Sequence, residues 1–117
     1  MYRQSKGKSL TIAKDAAVSD VLDYGDYGYG VFLMPAAWTA ATMCFKVCGT
    51  PDGTFLPLYS WLGSVGVLVG FTVTVDVALP LPSQLQGVTY FKFWSTDGSG
   101  ADQAQAAART IKVEIKA

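Results

Sequence analysis

A turn signature in the middle of the chain constrains its fold most. Thr50-Pro51-Asp52-Gly53 sets Pro, Asp and Gly in the order of a tight turn. Pro fixes its own φ, Asp bonds its own backbone, and Gly takes a positive φ without steric cost. Before the turn, Thr42 to Cys48 (TMCFKVC) is rich in β-branched, aromatic and sulfur-bearing residues. Successive strand side chains alternate, so Met43, Phe45 and Val47 share one face and Cys44 and Lys46 the other. Thr54 to Tyr59 reads as the return strand, and the whole segment as a β-hairpin.

The flanking sequence continues in the same idiom. Leu10 and Ile12 alternate with Thr11 and Ala13, and Ala16 to Tyr24 reads as a second short strand. Val31 to Met34 is a continuous apolar run closed by Pro35, the pattern of a buried strand, and Trp38 is expected to cover the end of the core. Val65 to Val77 is strand material with Gly66 and Gly70 as bends, and Phe71, Val73, Val75 and Val77 alternate until Leu79-Pro80-Leu81-Pro82 stops them. Ser83 to Gly87 is a connecting turn. Val88 to Ser95 is largely apolar on both faces, as a central strand or one covered by a partner would be. Thr96 to Gln105 is a Gly/Ser/Asp loop with no phosphate-loop pattern. Thr110 to Lys116 sends Ile111, Val113 and Ile115 inward and its lysines outward, the pattern of a guarded sheet edge. About eight short strands with Gly/Pro turns imply an all-β chain, an antiparallel β-sandwich of jelly-roll type. The expected organisation is a flexible basic N-terminal arm over 1–8 and a single sandwich domain over 9–117.

Composition narrows the function. The 117 residues carry zero net charge, only 15% are charged and 50% are hydrophobic. Nucleic acid is an unsuitable partner, because phosphate binding needs concentrated Lys and Arg. A low-charge surface suits a small protein that hides area against other subunits. There is no His, which removes the commonest general base and metal ligand, and no catalytic constellation replaces it. On one strand Cys44 and Cys48 stand about 13 Å apart, too far for a disulfide unless the chain folds back before Cys48, and their spacing is neither a zinc nor a redox motif. No enzyme activity, metal or cofactor is expected. The Val65–Phe71 run is too short to span a membrane, and Met1 is followed by basic and polar residues and not by a signal's apolar block. A soluble product made in a cytoplasm is the expectation.

Three features are candidates for contact. Arg3, Lys6 and Lys8 make the arm a basic tether. Tyr24, Tyr27 and Tyr29 punctuate a Gly/Asp loop and offer flat amphipathic surface. Calcium at Asp23 and Asp26 is disfavoured, since two carboxylates fall short of the oxygen ligands it needs. Trp61 and Leu62 form an unusually apolar loop, which suits a neighbouring subunit.

Met34-Pro35-Ala36-Ala37-Trp38-x-Ala40-Ala41-x-x-x-Phe45, then Pro51-Asp52-Gly53-Thr54-Phe55 and Leu58-Tyr59, form one block of a wider pattern. Val88 to Phe93, Ser95, Gln105-Ala106-Ala107 and Arg109-Thr110 form another. From about Leu10 onward the chain resembles a family of small tailed-phage and prophage virion proteins, the β-sandwich capsid decoration (cement) proteins and head or tail accessory modules. It departs from them at Cys48–Gly53, where the turn is longer, and at Ser60–Gly63, where an acidic turn is usual.

The resemblance implies a structural protein at the virion's capsid surface, made in the host bacterial cytoplasm. Such a protein binds the assembled major capsid protein and itself, as a homotrimer, and stabilises the shell. On exposure and composition, Arg3, Lys6 and Lys8 are then assigned to the shell. Tyr24, Tyr27, Tyr29, Trp61 and Leu62 are assigned to neighbouring protomers. The rival reading is a carbohydrate-binding β-sandwich module of a phage head or tail fibre, with Tyr24, Tyr27, Tyr29 and Trp61 stacking on a host surface glycan.

Overall fold

The computed structural model describes residues 5–25 and 27–116. Among them, eleven strands pair antiparallel. They are β1 (Ser5–Ile12), β2 (Leu22–Asp23), β3 (Tyr29–Leu33), β4 (Thr42–Cys48), β5 (Leu56–Pro57), β6 (Tyr59–Leu62), β7 (Val65–Leu68), β8 (Gly70–Thr72), β9 (Ala78–Pro80), β10 (Tyr90–Thr96) and β11 (Arg109–Lys116). A single 3₁₀ turn, Ser83–Leu85, occupies the expected connection before β10.

Sheet I has the order β1-β11-β3-β9, and sheet II the order β2-β10-β4-β5, with β8 also on β4. Chain neighbours alternate between the sheets from β1 to β4 and from β8 to β11, with β4, β5 and β8 together in sheet II, which is the jelly-roll wrapping. β5 and β8 share the fourth position of sheet II, so eight strand positions hold nine strands. The other two, β6 and β7, form a hairpin of their own, inserted between β5 and β8.

The central hairpin forms, Lys46 opposite Pro57 and Val47 opposite Leu56. Its return strand, however, is only Leu56–Pro57, Tyr59 already belongs to β6, and Gly53 does not take the expected positive φ. β4 and β10 pair along their length and bring Phe45 opposite Phe93. With Phe91 and Phe32 of sheet I they make the centre of the core, ring centroids 5.2–6.5 Å apart and mostly edge to face, the arrangement ring quadrupoles favour. Leu10, Ile12, Ile111, Val113 and Ile115 cover it from sheet I. The outward face of β10 is closed as well, because Trp94 packs on Ala17 and Cys44 with Leu68 against them. Its indole N–H donates to Asp102 (2.7 Å). This confirms β10 as a central strand.

Several local expectations are corrected. The last strand, β11, is interior and not an edge: β1 lies on one side and β3 on the other. Its lysines point outward because one face of sheet I is wet. That wet face also undoes the expected two-sided burial of Val31 to Met34. Phe32 and Met34 are buried, whereas Val31 and Leu33 are exposed. After β8 the chain leaves the sheet, so the alternation from Phe71 to Val77 does not mark one strand, and Phe71, Val75 and Val77 are all exposed.

Candidate functional site

Charge and apolar exposure are segregated across the sandwich. From Gly53 to Phe91 the only charged residue is Asp76. Every exposed large hydrophobic among the described residues lies on β3, on β5 to β8, or at Val75 and Val77. None lies on β1, β2, β10 or β11. These apolar elements adjoin in space: β3 and β9 close one side of sheet I, and Phe71 of sheet II meets Phe32, Leu79 and Pro80 there. The opposite side joins β1 to the start of β2 through the Ile12–Ser19 bridge and bears Lys14, Asp20 and Asp23.

The two sides also differ in how their edges are protected. On β1, Lys6 and Lys8 stand opposite Ile115 and Val113, so they share the core-facing side beyond the point where Leu10 begins the core. Inward-pointing charges on an edge strand discourage pairing with another chain. On the apolar side no charge falls on β5, β8 or β9. Pro57 and Pro80 and the shortness of these strands limit pairing there, while their side chains remain open to contact.

The β6–β7 hairpin is the most exposed part of this side. Leu58 N–H donates to the Phe45 carbonyl (2.9 Å) and Val69 N–H to the Leu58 carbonyl (3.0 Å), which anchors its base to β4. Gly63, at φ 64°, makes the two-residue turn with Ser64; a Gly at that position matches the twist of a hairpin. Opposite pairs are Tyr59–Leu68, Ser60–Val67, Trp61–Gly66 and Leu62–Val65. Tyr59 and Trp61 therefore project from one face and Leu62, Val65 and Val67 from the other. Trp61 is 77% exposed, Leu62 73% and Val65 62%.

A second apolar area lies on the outer face of sheet I. Val31 stands opposite Pro80 and Leu33 opposite Ala78. β11 borders this stripe with Lys112 opposite Leu33, Glu114 opposite Val31 and Lys116 opposite Tyr29. Between them runs a shallow groove of about 360 Å³ lined by Tyr29, Gly30, Val31, Glu114 and Lys116.

The sequence candidates are distributed accordingly. Trp61 and Leu62 are exposed, but on a hairpin and not on a loop. The Gly63-Ser64 pair between apolar runs is the signal that finds it. Tyr29 is exposed on the outer face of sheet I. Tyr24 is a correction: it is 1% exposed and packs edge-on against Phe91 at 5.4 Å, so it belongs to the core and not to a contact surface. Burial raises its phenol pKa. Tyr27 is half-buried against the core. Lys6 and Lys8 are exposed but belong to β1, so the strand takes in residues 5–8 of the expected arm. Arg3 lies outside the described residues, as does Asp26.

No family model matches the chain, and no curated protein matches it. Among solved structures it is similar to the crystal structure of SPBc2 prophage-derived protein YomS. That match has a TM-score of 0.53 at 14% identity and covers 97% of this chain and 96% of the other. At that identity the likeness shows a shared fold over essentially the whole of both chains.

Proposed function

We propose that this chain is a structural subunit of a phage particle, a capsid decoration protein that assembles with its own copies and binds the completed shell. The observation that carries the reading is the charge-poor side, with Asp76 its one charge between Gly53 and Phe91, crowned by Trp61 and Leu62. Large contiguous apolar exposure on a small soluble chain marks an interaction surface, and permanent interfaces are the ones that resemble a core cut in half. The fold shared with a prophage-derived protein and the virion-type motifs support the setting. Binding only the assembled shell would stabilise it by linkage, and repetition over a lattice adds avidity. A homotrimer is the proposed unit, with Lys6 and Lys8 facing the shell. A jelly roll serves lectins as well as capsids. The burial of Tyr24 removes one aromatic from the set that a sugar-stacking platform would use.

The test is occupancy. Purified protein is added to empty shells, and bound copies are counted before and after Trp61→Ser with Leu62→Ser. Saturable binding that the double variant weakens, together with raised shell melting, is expected. Failure to bind shells, with binding to a glycan screen instead, would overturn the decoration role in favour of the carbohydrate module.

A further inference from the structure

The β6–β7 hairpin and the stripe on sheet I are two exposed apolar surfaces of one chain, and one copy cannot join them. The hairpin base is bonded to β4 of sheet II. The stripe of Val31, Leu33, Ala78 and Pro80 faces away from sheet II, on the far side of sheet I. Packed sheets lie about 10 Å apart, and the aromatic core fills the space between.

We propose that the hairpin of one copy lies across the outer face of sheet I of a second copy, with Trp61 on the stripe. This rests on the reading above that copies of the chain assemble, and it names the two surfaces that meet. Two features select this pairing over a hairpin-to-hairpin contact. The hairpin is apolar on both faces, Tyr59 and Trp61 on one, Leu62 and Val65 on the other. A two-stranded hairpin is marginally stable alone in water. A two-fold contact between hairpins would use the same patch twice and leave the stripe wet, whereas hairpin on stripe uses both surfaces in every copy.

The second feature is the stripe's rim. Lys112, Glu114 and Lys116 border it, and the hairpin that would cover it carries no charge of either sign to repel any of them. Trp61 instead offers the lysines a ring face, an electrostatically attractive partner. This chain already uses that chemistry within its fold: Lys46 Nζ sits 4.6 Å from the Trp94 ring centroid and Lys92 Nζ 4.5 Å from that of Phe55. Because the two patches differ, the contact is heterologous, and repetition closes a ring when the rotation permits.

The experiment is site-directed cross-linking of the full chain with Cys48→Ser as background, leaving the buried Cys44 in place. Tyr59→Cys, on the Trp61 face of the hairpin, and Val31→Cys are made separately, checked for an unchanged unfolding midpoint, and treated with a short bis-maleimide alone and mixed. The expected product is a covalent pair in the mixture only, and Trp61→Ser added to the hairpin partner lowers its yield roughly tenfold, as loss of a central Trp anchor does. Tyr59→Cys cross-linking to itself would overturn the proposal in favour of a two-fold hairpin contact. Absence of any cross-link with a monomer mass at high concentration would overturn it too. Shell binding measured on the same proteins reads the decoration role separately, since either cross-linking result can accompany it.

Discussion

The side-chain amide of Gln105 pairs with the backbone of Thr39 much as a neighbouring strand would. Thr39 N–H donates to Oε1 (2.9 Å), and Nε2 donates back to the Thr39 carbonyl (3.1 Å). Nε2 also donates to Ser95 Oγ (2.9 Å), and Arg109 Nε donates to Oε1 (3.2 Å). The amide is thereby satisfied while wholly buried, and it ties the β3–β4 connection to β10 and to the entry of β11.

Replacing Gln105 with Leu keeps the bulk and takes a hydrogen bond from each of these partners, although Ser95 Oγ still donates to the Gln103 carbonyl (2.7 Å). Leaving buried polar groups unpaired costs about 1–3 kcal/mol apiece where water cannot reach them. Some relaxation is expected, so Gln105→Leu should lower stability by about 2–4 kcal/mol. Gln105→Glu, which keeps the acceptor for Thr39 and Arg109 but loses both donors, should fall between it and the parent. Urea midpoints of the three proteins check the order.

Gly30 is fixed by close approach. A Cβ there would come 2.5 Å from the Glu114 carbonyl oxygen and 3.0 Å from Ile115 Cγ2. The first neighbour is backbone of the adjacent strand and cannot swing aside, so Gly30→Ala must push β3 away from β11. A cost of about 1–3 kcal/mol follows from such overpacking. Hydrogen exchange should show lost protection at Ile115 and Lys116 before Leu10, since β1 holds the other edge of β11.

How much was legible in the chain depended on how local the cause was. Pro51-Asp52-Gly53 and the alternation of Ile111, Val113 and Ile115 act within a few residues, and β4 and β11 form where expected, the return strand after the turn being shorter than expected. Lys112 and Lys116 read as edge guards because outward lysines mark an edge and a wet face alike; only the pairing of β1 and β3 on either side distinguishes them. Gly-rich surroundings point Tyr24 to the surface, yet it packs against a ring 67 positions away, Phe91. The Gln105–Thr39 pairing spans 66 positions and leaves no periodic trace. For the candidate site, Trp61 and Leu62 were found by composition, whereas the stripe escaped. Val31 and Leu33 sit in a run whose apolarity reads as burial until the open face of sheet I is known.

The two thiols should differ sharply in reactivity. Burial pushes the Cys44 thiol up, and its Sγ sits 3.3 Å from Thr96 Oγ1 inside the fold. Cys48, half-buried beside the central turn, is held below the usual thiol range, chiefly by the Thr50 backbone N–H. Thiolate is the nucleophile, so one equivalent of a thiol reagent should react with the native protein at a rate that climbs through a pH below that of a free cysteine. The second should react only on unfolding. Mass spectrometry after limited labelling identifies the site, and modification of Cys44 at the native rate would contradict this assignment.

Asp97 organises the loop after β10 and makes it acid-sensitive. Its Oδ1 accepts from Ser99 N–H (2.8 Å), Ser99 Oγ–H (2.9 Å) and Ala101 N–H (3.3 Å). The Ser99 backbone N–H is the main cause of a carboxyl held below its usual range. A carboxyl whose folded pKa is depressed contributes stability above its unfolded value, near pH 3.9, and loses it as pH falls through the folded value. Asp97→Ala should therefore be less stable than the parent at neutral pH, and the gap should hold down to about pH 4 before closing in more acidic solution. Unfolding midpoints of both proteins across pH 2 to 7 trace the curve. A gap of constant size down to the acid end would mean that the loop is held by its backbone turns and not by the carboxylate.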